Sequence, residues 1–121
     1  MHTVLLIESN EKWQRIYRCQ LASEVYDLRI VDCCDAALQI INSESIDILV
    51  LDLICPDGRE LTNLLHILAE RHDFKVIIHS DYPELRQDFR TWAADAFLVR
   101  TYDLTELKCE LIRLLQHDYV I

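Results

Sequence analysis

Five short apolar runs punctuate the chain: Val4-Leu5-Leu6-Ile7, Leu28-Arg29-Ile30-Val31, Ile48-Leu49-Val50-Leu51, Val76-Ile77-Ile78 and Phe97-Leu98-Val99. Each has the length of a strand and is mostly aliphatic or β-branched. Most lack polar alternation, as strands covered on both faces do. The run holding Arg29 alternates best, which suits an edge. Between the runs, apolar residues recur at helical spacing. Trp13, Ile16, Tyr17 and Leu21 form one stripe, and Leu61, Leu64, Leu65 and Leu68 form a cleaner one. Ala37, Leu38 and Ile41 mark a weaker helix over 36–42. Pro83 suits the first turn of a helix carrying Leu85, Phe89 and Trp92. Asp103, with Glu106 three residues on, reads as the cap of a helix carrying Leu107, Leu111 and Leu114. Strict strand–helix alternation predicts an α/β fold with a doubly wound, five-stranded parallel sheet and right-handed crossovers.

The 121 residues and 14.3 kDa are the size of one domain, spanning 1–121. There is one glycine, Gly58, so neither a dinucleotide fingerprint nor a P-loop can form. Phosphate chemistry would have to use side chains or a metal ion. Twelve Lys and Arg against twenty-one Asp and Glu leave a net charge of −9, which repels a nucleic-acid backbone. Cys19, Cys33, Cys34, Cys55 and Cys109 stand at no metal-binding spacing, and the adjacent Cys33-Cys34 reads as packing. No apolar run nears the roughly 20 residues that span a bilayer, and no signal peptide is visible. These features predict a soluble cytoplasmic protein with reduced thiols.

In an open parallel sheet, sites form outside the carboxyl ends of the strands. Glu8 and Ser9 follow the first apolar run and Asp52 follows the third. Ser80 follows the fourth, beyond His79, and Arg100 and Thr101 follow the fifth. With strand order 2-1-3-4-5, Glu8 and Asp52 become neighbours. Paired carboxylates call for a proton or a cation, and oxygen-rich pairs suit Mg²⁺. Ser80 offers a hydroxyl and Arg100 a fixed positive charge to an anion on Asp52. Such a set can receive a phosphoryl group.

The stretch Asp47 to Gly58 resembles the D-x-x-x-x-D-x-x-x-P-x-x-G region of bacterial two-component receiver domains, with Asp52 at the phosphoacceptor position. Ser80 falls on that family's Thr/Ser. The stretch Ala93 to Leu104 resembles its G-A-x-x-Y-L-x-K-P-F region. The resemblance runs from about Thr3 to Leu115. It implies a CheY-like, flavodoxin-like fold and a phosphoryl group taken from a sensor histidine kinase or phosphotransfer protein. Mg²⁺ would be held by Glu8, Asp52, the Ile54 carbonyl and, as a poor ligand, Ser9. It further implies a switch through Ser80 and Phe97, some autophosphatase activity rather than a dedicated enzyme, and a downstream protein target.

Several positions depart from the family pattern. The second acid after the first strand is Ser9, which weakens the metal site. Arg100 replaces a lysine, and the two are not interchangeable. Thr101 replaces a proline, so a trans peptide is expected. Asp81 puts a negative charge near the phosphate route, and the loop after Asp52 is about two residues short. These changes leave two readings open. One is a phosphoacceptor signalling module. The other is a phosphorylation-independent pseudo-receiver that binds partners through the face of the last strand and last two helices, where a homodimer would also form. A haloacid-dehalogenase-type hydrolase would want an acid at Ile54.

Plainer roles stand beside these. Glu8 also reads as a solvated loop acid, Ser80 as a helix cap, Arg100 as an ion-pair partner of Asp52 replacing the metal, and Phe97 as a half-buried strand aromatic. Trp13 and Trp92 read as apolar anchors. His66, His72, His79 and His117 show no ligand spacing. The chain ends soon after the last helix, so output is expected through protein contact.

Overall fold

A computed structural model describes residues 1–54, 58–71, 73–88 and 94–117, with the backbone alone for 58–63 and 117. The apolar runs become five strands: β1 (His2–Ile7), β2 (Tyr26–Val31), β3 (Ile48–Leu51), β4 (Lys75–Ser80) and β5 (Ala96–Val99). All pair in parallel, in the order β2-β1-β3-β4-β5. The strand with Arg29 lies at the edge, as its alternation requires. Every residue of β3 is buried, as a central strand covered on both faces must be.

Strand alternation divides the core into two layers. Leu5, Leu49, Val76 and Ile78 face one way. They pack on α2 (Cys34–Ser43) and α3 (Gly58–Glu70) through Ala37, Ile41, Leu64 and Leu68. Val4, Leu6, Val50 and Ile77 face the other way. They meet α1 (Glu11–Leu21) and α4 (Thr105–His117) through Tyr17, Leu21, Leu107 and Leu111. Helices therefore flank both sides of the sheet.

The helix starts explain themselves locally. Asn10 caps α1 by accepting the Trp13 N–H at 3.0 Å. The thiol of Cys33 caps α2 from 3.5 Å, a weak acceptor where an oxygen is usual, and α2 is the helix least evident from sequence. The cap of α4 differs from the expected one. The helix begins at Thr105, and Asp103 Oδ1 accepts from both the Thr105 N–H and its hydroxyl. After Pro83 the chain forms a short 3-10 turn, Pro83–Gln87, rather than an α-helix there. Phe89 and Trp92, expected to continue that element, lie outside the described residues, as do Cys55, Pro56 and Asp57. No cis peptide occurs among the described residues, so Arg100–Thr101 is trans as expected.

Candidate functional site

The carboxyl ends of β1, β3, β4 and β5 open onto one crevice of about 190 Å³. Glu8, Ser9, Asp52, Ile54, Asp81 and Arg100 line it. Parallel pairing puts β1 beside β3, so the two acids expected to meet do share this crevice. Ser80 is fully buried and lies beneath it. Its hydroxyl accepts the Tyr82 N–H at 3.3 Å and lies near enough to Asp52 to lower that carboxyl's pKa. Ser80 does not cap the following element, since the turn that starts at Pro83 has Tyr82 at its cap position and no side-chain cap.

Asp52 sits just past the last residue of β3, where the ladder ends and its carboxylate turns into the crevice. Asp52 Oδ1 accepts the Ile54 N–H at 3.0 Å. Burial pushes its pKa above the ordinary carboxylate range. The Ile54 N–H, the Ser80 hydroxyl and the charge of Arg100 pull the other way.

Arg100 does not pair with Asp52. It reaches instead across the tops of β4 and β3. Its Nη1 donates to Glu8 Oε1 at 2.6 Å, and its Nε and Nη2 donate to the two oxygens of Asp81 at 3.0 and 2.9 Å. Its side chain is 9% exposed and that of Glu8 13%, so the pair is nearly withdrawn from water. Glu8 is therefore no solvated loop acid. Its second oxygen accepts the Asn10 N–H at 3.0 Å. The charge of Asp81 does not stand open on the approach to Asp52. It is half of a bidentate ion pair, which holds the Asp81 carboxyl below its ordinary range.

Aromatic residues of α1 and its surroundings also belong to this arrangement, in roles the sequence did not indicate. The Trp13 ring lies under the Arg100 guanidinium, 4.1 Å from centroid to carbon, and stacks on Tyr102 at 5.3 Å. Trp13 is thus more than an apolar anchor. Tyr17, one turn further along α1, faces the same guanidinium, and its hydroxyl lies 2.7 Å from His79 Nδ1. Burial raises the Tyr17 pKa to about 12 and lowers that of His79 to about 4, so both are neutral near pH 7. The i, i+4 spacing of Trp13 and Tyr17 showed a shared face. Nothing in it showed an arginine against that face. Phe97, on β5, is half-buried and packs on the α2–α3 side, with the Arg86 guanidinium over its ring at 5.3 Å.

The donors do not fit a divalent cation as they stand. Both oxygens of Glu8 and one of Asp52 are already bonded, and Ser9 is neutral. Among the described residues, no group of three or more His, Cys, Asp or Glu is placed so as to hold a metal ion.

No protein-family model matches the sequence, and none of the curated proteins does. Solved structures do match. The response regulator TrrA of Thermotoga maritima, in complex with Mg²⁺ and beryllofluoride, is 26% identical, with a TM-score of 0.81 over 94% of this chain and 99% of that one. TrrA in complex with the histidine kinase ThkA gives 26% and 0.80, over 95% and 99%. The receiver domain of the response regulator TorR gives 22% and 0.82, over 97% and 98%. Over nearly its whole length, then, the chain has the receiver-domain fold of two-component response regulators.

Proposed function

We propose that residues 1–121 form a receiver module that accepts a phosphoryl group on Asp52 from a histidine kinase or phosphotransfer protein. One observation carries the reading. A carboxylate at the tip of the central strand lies in a crevice, with a buried serine and a guanidinium near enough to favour its charge. In the transfer, an Asp52 oxygen attacks the phosphorus of a phosphohistidine in line. The P–N bond breaks, its electron pair stays on the imidazole, and the ring takes up a proton. Ser80 donates to the arriving phosphoryl oxygens, and Arg100 offsets their charge. The kinase-bound structure of a similar response regulator supports the choice of partner.

The switch through Ser80 and Phe97 rests on this reading. A phosphoryl group that drew the Ser80 hydroxyl away from the Tyr82 N–H would alter the surface around the 3-10 turn, where Arg86 covers Phe97.

The test is intact mass after incubation with acetyl phosphate. The wild type gains one phosphoryl group and Asp52→Asn gains none. Labelling of both proteins, or of neither, sinks the proposal. A second reading, the phosphorylation-independent binding module, is favoured by the closure of Glu8 and Asp81 onto Arg100. It predicts no labelling and partner binding equal in wild type and Asp52→Asn.

A further inference from the structure

Three acids line one crevice at the carboxyl edge of the sheet: Glu8, Asp52 and Asp81. Three carboxylates around one crevice repel unless a cation lies among them. The crevice already contains one. Arg100 gives one arm to Glu8 and a two-pronged fork to Asp81, and its flat face rests on Trp13. A guanidinium is planar, permanently charged and weakly hydrated, so it tolerates a position that is 9% exposed.

A divalent ion entering here would meet poor terms. Mg²⁺ demands a near-octahedral oxygen shell and gives up its waters reluctantly. To collect Glu8 it would have to displace Arg100. That would cost a nearly buried guanidinium one of its two carboxylate partners, and breaking a buried ion pair is strongly destabilising. The hydroxyl of Ser9 offers no charge in exchange.

We propose that Arg100 is the resident cation of this crevice, standing in place of a divalent metal ion. The claim concerns the cation alone and holds whether or not Asp52 is phosphorylated. The two proposals therefore fail separately.

The experiment is calorimetric titration of the whole chain with MgCl₂, without phosphodonor. The wild type gives no saturable heat up to about 10 mM MgCl₂. Arg100→Met, which frees Glu8 and Asp81 to share an added ion with Asp52, binds Mg²⁺ at least about tenfold more tightly. Saturable binding to the wild type overturns the proposal, and so does a folded variant as silent as the wild type. A second readout needs no variant. The Nε–H resonance of Arg100, sheltered by its bond to Asp81, keeps its position as MgCl₂ is added. A saturating displacement of that resonance overturns the proposal by itself.

Discussion

Asp52 is held in an environment that disfavours its own charge. Burial is the largest influence on it and raises its pKa, while the Ile54 N–H, the Ser80 hydroxyl and Arg100 offset only part of that effect. A carboxylate so placed costs stability at neutral pH. Asp52→Asn keeps an oxygen for the Ile54 N–H and removes the charge. It should stabilise the protein by about 1 kcal/mol, seen as a higher midpoint in urea at pH 7. A lower midpoint would mean that Asp52 is stabilised by its neighbours and not strained for use. His79 carries the opposite lesson. Burial, followed by the charge of Arg100, lowers its folded pKa from 6.5 to about 4. Between those values the unfolded chain binds a proton that the folded chain refuses. The stability contribution is whole above pH 6.5 and is lost as pH falls toward 4, by up to about 3 kcal/mol. The groups facing His79 are Tyr17, Arg100 and Asp81. His79→Gln, which keeps an acceptor for Tyr17, should flatten the profile of unfolding free energy between pH 7 and 5. Equal slopes in the two proteins would remove His79 from the account.

At the scale of elements, α1 and α4 cover the face of the sheet that leads to Arg100. Leu111 is fully buried there among Val4, Leu6 and Ile77. Leu111→Ala should cost about 2–5 kcal/mol in urea unfolding, because the surrounding strands cannot close the gap. A loss below about 1 kcal/mol would show that α4 is loosely docked. The strands were legible in the sequence because apolar runs such as Ile48-Leu49-Val50-Leu51 admit little else. Edge placement followed from Arg29 alone. The element after Pro83 was less legible, since proline suits the first turn of an α-helix and a 3-10 turn equally. The Asp103 cap misled by one residue because Asp103 lies one position before the cap and satisfies Thr105, the first residue of the helix, from there. Trp13 and Tyr17 read as core because a helical stripe of aromatics looks the same whether it meets leucine or a guanidinium.

Across the whole molecule, the order 2-1-3-4-5 does the assembling. It brings the ends of β1, β3, β4 and β5 to one crevice, so residues 92 positions apart in sequence, Glu8 and Arg100, become an ion pair. That the crevice would hold Glu8, Asp52 and Arg100 could be read from strand ends. Which of the acids Arg100 would choose could not. The choice depends on reach across three strand spacings, about 14 Å, which a long guanidinium and a glutamate close between them. Asp52, one strand nearer, is left to Ser80 and Ile54. The outcome is a carboxylate, Asp52, that shares its crevice with a guanidinium and has a buried serine nearby.

Phosphorus NMR of the protein after treatment with acetyl phosphate, in wild type and Asp52→Asn, addresses this arrangement most directly. The wild type should show one acyl-phosphate resonance that hydroxylamine removes, and Asp52→Asn should show none. A wild-type spectrum without that resonance, or one that persists in the variant, would contradict Asp52 as the acceptor.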